Sequence, residues 1–190
     1  MNWSSRCGAL ADLDRAGRFE ELEQALALLP ADPPASLAGD LAYWRGKVHV
    51  VSNRFASAIA PLALAVRLQP TRAHAHYLLG VALAREQLRL DAARMFQRAL
   101  ALQPELSAAA LELGQLWLAL GNPQAARRVL EQGLAHAPGD SVLNTCFWRA
   151  QVREASVEQA PSLLSQALAA LQRPADDLLV EWLQIAAGLL

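Results

Sequence analysis

Cysteine is scarce in this sequence. Cys7 and Cys146 stand far apart with no CxxC spacing, so neither a disulfide framework nor a zinc site is supported, and two free thiols fit the cytoplasm. Charge of one sign is also missing. A formal net charge of -1 at pH 7 leaves no electrostatic footprint for nucleic acid, and aromatic residues are not interleaved with basic ones as single-strand binders require. The N-terminal Met-Asn-Trp-Ser-Ser-Arg-Cys-Gly lacks the apolar run of a signal peptide, and no uncharged stretch approaches membrane-spanning length. Neither nucleic acid nor a membrane is an expected partner. β-Branched residues are few although 54% of the chain is hydrophobic, which favours helices.

Groups that could perform chemistry are equally thin. There are four histidines: His49, His74, His76 and His136. His74 and His76 are two residues apart, and on a helix such side chains point about 200° apart, so they cannot chelate one ion together. His76 is better explained as a partly buried structural residue. Ser4, Ser5 and Cys7 have no histidine near them in sequence, and Asp176-Asp177 reads as a helix start, where acidic side chains favour the positive end of the dipole. No glycine-rich phosphate loop is present. The expectation is a chain that is not an enzyme, with no catalytic residues, no metal and no cofactor.

What the sequence does have is a period. Pro70, Pro104 and Pro138 recur at one constant interval, and Gly46, Gly80, Gly114 and Ala58, Ala92, Ala126 recur in phase with them. Ala65, Ala99 and Gly133 make a fourth series. Self-similarity at a fixed period of a few tens of positions means stacked structural repeats. Within Ala73–Pro104, Tyr77, Leu79, Gly80 and Leu83 fall at helical spacing. A break follows at Glu86–Arg89, and Ala92, Met95, Phe96, Ala99 and Leu100 then form an amphipathic stripe. Proline ends this second helix because its ring fixes φ and it lacks an N–H. Glycine inside a helix costs about 1 kcal/mol relative to alanine, so its recurrence predicts close helix crossing within each pair, with the alanines opposite allowing the same approach.

These units resemble tetratricopeptide repeats, which place tryptophan, leucine, glycine, aromatic, alanine, aromatic, alanine and proline across about 34 residues. The unit from Ala73 matches with Leu79, Gly80, Ala92, Phe96, Ala99 and Pro104, with His76 in the tryptophan slot and Leu83 in the first aromatic one. The unit from Ser107 matches with Leu113, Gly114, Trp117, Ala126 and Pro138. The unit from Gly39 keeps Gly46, Ala58, Ala65 and Pro70, but Arg45 and His49 replace the leucine and the aromatic. The resemblance implies an all-α fold: an α-solenoid of about eleven helices in stacked antiparallel pairs wound into a right-handed superhelix. One domain over 1–190 is expected, with a degenerate repeat at 1–34, repeats at 39–72, 73–106 and 107–140, a degenerate repeat at 141–174 and a C-terminal helix at 175–190.

The resemblance also implies a binding groove. In such arrays the first helix of each pair lines the concave side, which here selects Asp40, Tyr43 and Lys47; His74, Tyr77 and Val81; Ala108, Leu111 and Gln115; and Val142, Thr145 and Arg149. Tyrosine, with an apolar body and a polar tip, suits a binding surface. A competing account has Tyr43 and Tyr77 merely stacking on each other. The family's clamp for chaperone carboxylates is disfavoured, since Tyr43, Leu78, Ala108 and Glu112 stand where it wants basic or amide groups. The implied function is a protein-interaction scaffold holding a peptide or helical segment of a partner. Two alternatives are a substrate-recognition domain of a larger enzyme or secretion component, and a self-associating structural protein. Arg67, Arg94, Arg98, Arg127 and Arg128 fall on second helices as a solvated outer face. The segment 176–190 is apolar on nearly every side; it acts as a cap, belongs to a longer chain, or forms a homodimer through Leu179, Leu183 and Leu190 beside a packed Trp182.

Overall fold

Four helical hairpins turn on the same backbone device. In the computed structural model, which describes residues 3–29, 33–155 and 159–171, Gly17, Asn53, Gln87 and Gly121 adopt left-handed φ of 69°, 56°, 64° and 72°. At each turn an N–H reaches back one position further than a helical bond: Arg18 to Leu13 O, Arg54 to His49 O, Leu88 to Leu83 O and Asn122 to Trp117 O, all within 2.8–3.0 Å. These bonds satisfy carbonyls that the ended helix leaves open and define Schellman closures. The last three turns, at Asn53, Gln87 and Gly121, are spaced as the prolines are, so the period seen in side chains is also a period of the backbone.

Ten helices are present among the described residues: α1 (Trp3–Arg15), α2 (Phe19–Ala27), α3 (Ala35–Val51), α4 (Phe55–Leu68), α5 (Ala73–Arg85), α6 (Arg89–Leu102), α7 (Ser107–Ala119), α8 (Pro123–His136), α9 (Ser141–Glu154) and α10 (Ala160–Leu171). No strand occurs among them. The eleventh helix expected at 175–190, with Leu179, Trp182, Leu183 and Leu190, lies outside the described residues. Helices α5, α7 and α9 start at Ala73, Ser107 and Ser141. Helix α3 instead begins at Ala35, directly after Pro34 at its N-cap, one turn ahead of the repeat phase at 39. Asn122 caps α8 by accepting from the Ala125 N–H at 3.0 Å, with Pro123 in the first turn. Asp140 caps α9 by accepting from the N–H groups of Val142 and Leu143.

The recurring glycines seat the largest core side chains. A Cβ on Gly80 would stand 2.7 Å from Phe96 Cε1, one on Gly46 would stand 2.3 Å from Leu62 Cγ, and one on Gly114 would stand 2.6 Å from Leu130 Cδ2. Leu62, Phe96 and Leu130 are fully buried and themselves recur in phase with the glycines they cover. Each pair is thus locked by a bulky side chain of the second helix over the glycine of the first. This corrects the expectation that alanines would face the glycines. An alanine does face Gly133 of α8, whose Cβ would meet Ala110 Cβ at 2.8 Å. Ala58, Ala92 and Ala126 are completely buried.

The chain divides into two compact units, Met1–Leu102 and Gln103–Leu190. In the first, α1 packs on α2, α2 on α3, α3 on α4, α4 on α5 and α5 on α6, and the first helices α3 and α5 also touch. Its core joins Leu10, Leu22, Leu26, Leu41, Trp44 and Val48 with their neighbours. In the second unit α7 packs on α8, α8 on α9 and α9 on α10, and again the first helices α7 and α9 touch. Side-by-side first helices are what place their outward faces next to one another.

Candidate partner-binding surface

In the first unit, the expected groove residues of α3 are engaged by the chain itself. Asp40 accepts from Arg72 Nη1 at 2.7 Å and from Gln69 Nε2 at 3.1 Å, and Arg72 Nη1 also donates to Gln69 Oε1 at 2.6 Å. The Arg72 guanidinium lies 4.0 Å above the centre of the Tyr43 ring, a cation–π arrangement. Lys47 Nζ is 2.6 Å from Asp14 Oδ1 in a largely buried pair, and it sits 5.4 Å from the Phe19 ring and 6.0 Å from the Tyr43 ring. Tyr43 is only 6% exposed. Its phenol pKa is raised, first by burial and then by the Asp14 charge, against a lowering by Arg72, so the hydroxyl stays protonated.

Helix α5 is more open. His74 is exposed, Tyr77 is half-buried and Val81 is buried. Tyr77 does not stack on Tyr43; its ring is tilted 45° against Phe96 with centroids 6.1 Å apart. The glycine-seated Phe96 therefore holds one side of Tyr77 while part of the ring stays accessible. His76 is buried at 5% exposure, deeper than the half-buried position expected, and its Nε2 lies 3.0 Å from the Pro70 carbonyl. Asn144, in the same phase two repeats on, donates from Nδ2 to the Pro138 carbonyl at 3.1 Å. The family's tryptophan slot is used here as a polar clasp on the loop that bears the repeat proline.

In the second unit Ala108 and Leu111 are half-buried, Gln115 is exposed, Val142 is 52% exposed, and Thr145 and Arg149 are half-buried. Gln115 Nε2 approaches Cys146 Sγ at 3.7 Å and ties α7 to α9. Thr145 Oγ1 donates to Ser141 O within its own helix at 2.8 Å. The surface here is aliphatic with an amide at its centre. Leu179, Leu183 and Leu190, the expected self-association residues, lie outside the described residues.

The second-helix arginines divide into two groups. Arg67, Arg98 and Arg128 are exposed, and Arg94 pairs with Asp91 at 3.1 Å on the surface. Arg127 is different: its Nε donates to Glu154 Oε2 at 2.7 Å and joins α8 to the end of α9, with Glu131 also close at 3.4 Å. The bond to Glu154 is the first cause of its raised pKa. Residue spacing did not reveal Arg127–Glu154, Asp14–Lys47 or Arg72–Tyr43, because none of these partners repeats. The Leu62, Phe96, Leu130 series was available to the same periodic comparison that found the glycines.

Among the described residues no group of three or more His, Cys, Asp or Glu is placed to hold a metal ion, and no helix is long and apolar enough to cross a membrane.

The family model described as Tetratricopeptide repeat matches residues 82–145. Among curated proteins no sequence match is found. A crystal structure of MamA protein superposes with a TM-score of 0.73 at 23% identity, covering 91% of this chain and 93% of that one. YrrB, described as a TPR protein with an unusual peptide-binding site, gives 0.64 at 19% identity over 82% of this chain and 77% of its own. The TPR2B domain of yeast Sti1, solved in complex with pHsp70, gives 0.56 at 16% identity over 60% of this chain and 97% of its own. These structures share the fold. With the hairpin period and the glycine-seated cores already described, the match identifies residues 82–145 as tetratricopeptide repeat, and the solved structures share the fold of the chain around them.

Proposed function

We propose that the chain is a non-catalytic scaffold that binds a peptide or helical segment of a partner protein on the faces of its first helices. The observation that supports this most is Tyr77: a half-buried aromatic ring, fixed from behind by Phe96 and standing beside exposed His74. A ring already immobilised loses little entropy on binding, which is what makes aromatic anchors effective. Leu111, Val142 and Gln115 offer the second unit an aliphatic surface with one hydrogen-bonding group. Both neighbourhoods suit a segment with hydrophobic anchors. Asp40, Tyr43 and Lys47 contribute less, because Arg72 and Asp14 already hold them. YrrB and the Sti1 domain, whose descriptions name a peptide-binding site and a pHsp70 complex, supply precedent for the fold. Cys7 and Cys146, neither of them in a disulfide, suit a reducing compartment.

A peptide selected from a random displayed library against the whole chain provides the test. Tyr77→Ala should weaken that peptide by about 2 kcal/mol or more while the circular dichroism stays that of a folded helical protein. Loss of binding in Arg98→Ala, on a second helix, with full binding retained in Tyr77→Ala would place the interaction on the opposite face.

A further inference from the structure

The first unit contains a cleft that the rest of the repeat pattern would have filled. It lies between α2 and α3, has a volume of about 310 Å³, and is lined by Glu23, Leu26, Ala27, Leu29, Arg45, Val48 and His49. Two departures from the period create it. Arg45 and His49 occupy the phase held by Leu79 and Leu83 in the next repeat, which are both buried there. Helix α2 has 9 residues, whereas α4, α6 and α8 have 14 each. A shorter cover and two lost core side chains leave space with an apolar floor, in which Leu26 and Val48 are 6% and 2% exposed.

The polar groups around this floor have a definite balance. Glu23 is held by Arg54, so its charge is matched. The exposed guanidinium of Arg45 has no ion-pair partner among the described residues. His49 Nδ1 is buried and has no hydrogen-bond partner among them. One unmatched cation therefore stands at the rim of a pocket whose floor is aliphatic, with the His49 ring in its wall. From this juxtaposition we infer that the α2–α3 cleft binds a small aliphatic carboxylate, with the tail on Leu26, Leu29 and Val48 and the carboxylate accepting from Arg45. Concave sites with an apolar lining and a few convergent polar groups, at the small end of the usual volume range, are the ordinary form of a small-ligand pocket. Burial and the Arg54 charge, against an opposite effect of Glu23, lower the His49 pKa from its usual 6.5, so the ring adds no charge to the wall at neutral pH. The site is separate from the first-helix faces assigned to a partner segment.

Hexanoate is the probe, and the readout is the methyl NMR signals of Leu26 and Val48 in the whole chain. Hexanoate should move both in a saturable way, and hexylamine, with the same tail and the opposite charge, should not. Arg45→Gln should weaken hexanoate by about tenfold or more, the loss of one charge-assisted hydrogen bond, with the helical spectrum unchanged. Arg45→Leu combined with His49→Leu restores the residue type found one repeat later; it should raise the melting temperature by filling the cleft and abolish the hexanoate response. N-Acetyl-leucine distinguishes the source: tighter binding than hexanoate assigns the cleft to a peptide terminus, and weaker binding to a free acid. Unmoved signals at tens of millimolar hexanoate, an equal response to hexylamine, or full binding retained in Arg45→Gln would overturn the inference.

Discussion

Phe96→Ala should cost the fold about 3–5 kcal/mol, the usual range for emptying a fully buried phenylalanine site. Phe96 is 0% exposed, sits against the helix face opened by Gly80 and also packs against the Tyr77 ring. The truncation leaves a cavity that the two helices cannot close without moving against each other. Since domains are stable by only about 5–15 kcal/mol in total, the loss should be evident in urea titration as a lower midpoint with a similar slope. Because Tyr77 loses its backing, peptide binding should weaken in the same variant even under conditions where it remains folded. A cost below about 1 kcal/mol would mean that the ring is not the lock of the third hairpin.

Gly80→Leu approaches the same contact from the other side. A Cβ there already falls 2.7 Å from the Phe96 ring, closer than real side chains approach, and leucine adds three carbons beyond it. Overpacking of this kind typically costs about 1–3 kcal/mol, and the upper end is expected because the obstructing group is a buried ring rather than a flexible tip. The two substitutions should not add. In a Phe96→Ala background the new leucine enters space that the ring has vacated, so its own penalty should shrink or change sign, as contacting residues do in a double-mutant cycle. Strict additivity of the two urea-derived costs would contradict direct contact between these positions.

Much of this architecture is visible in the residues themselves, because a strict repeat ties each side chain to a fixed place in a hairpin. Pro70, Pro104 and Pro138 mark the loops, and Gly80 and Gly114 mark the crossings. What the period does not carry is anything particular to one repeat. The early start of α3 at Ala35 follows from Pro34 and from no periodic residue. The family resemblance implied that Asp40, Tyr43 and Lys47 face inward, yet their availability depends on Arg72 and Asp14, which come from other elements and recur nowhere. Likewise, Arg45 and His49 read as mere defects in the pattern until the shortness of α2 shows that a cleft lies between them and Leu26. The series Leu62, Phe96, Leu130 was legible in principle, but hydrophobic residues of mixed type stand out less than glycine or proline.

Amide hydrogen exchange of the whole chain, with and without the peptide selected from a random library, tests the central claim most directly. Protection on binding should concentrate in first helices, at α5 around His74 and Tyr77 or at α7 around Leu111 and Gln115, and should leave the exposed faces of α4, α6 and α8 unchanged. A footprint confined to the second helices, at Arg67, Arg94, Arg98 and Arg128, would contradict a first-helix binding surface.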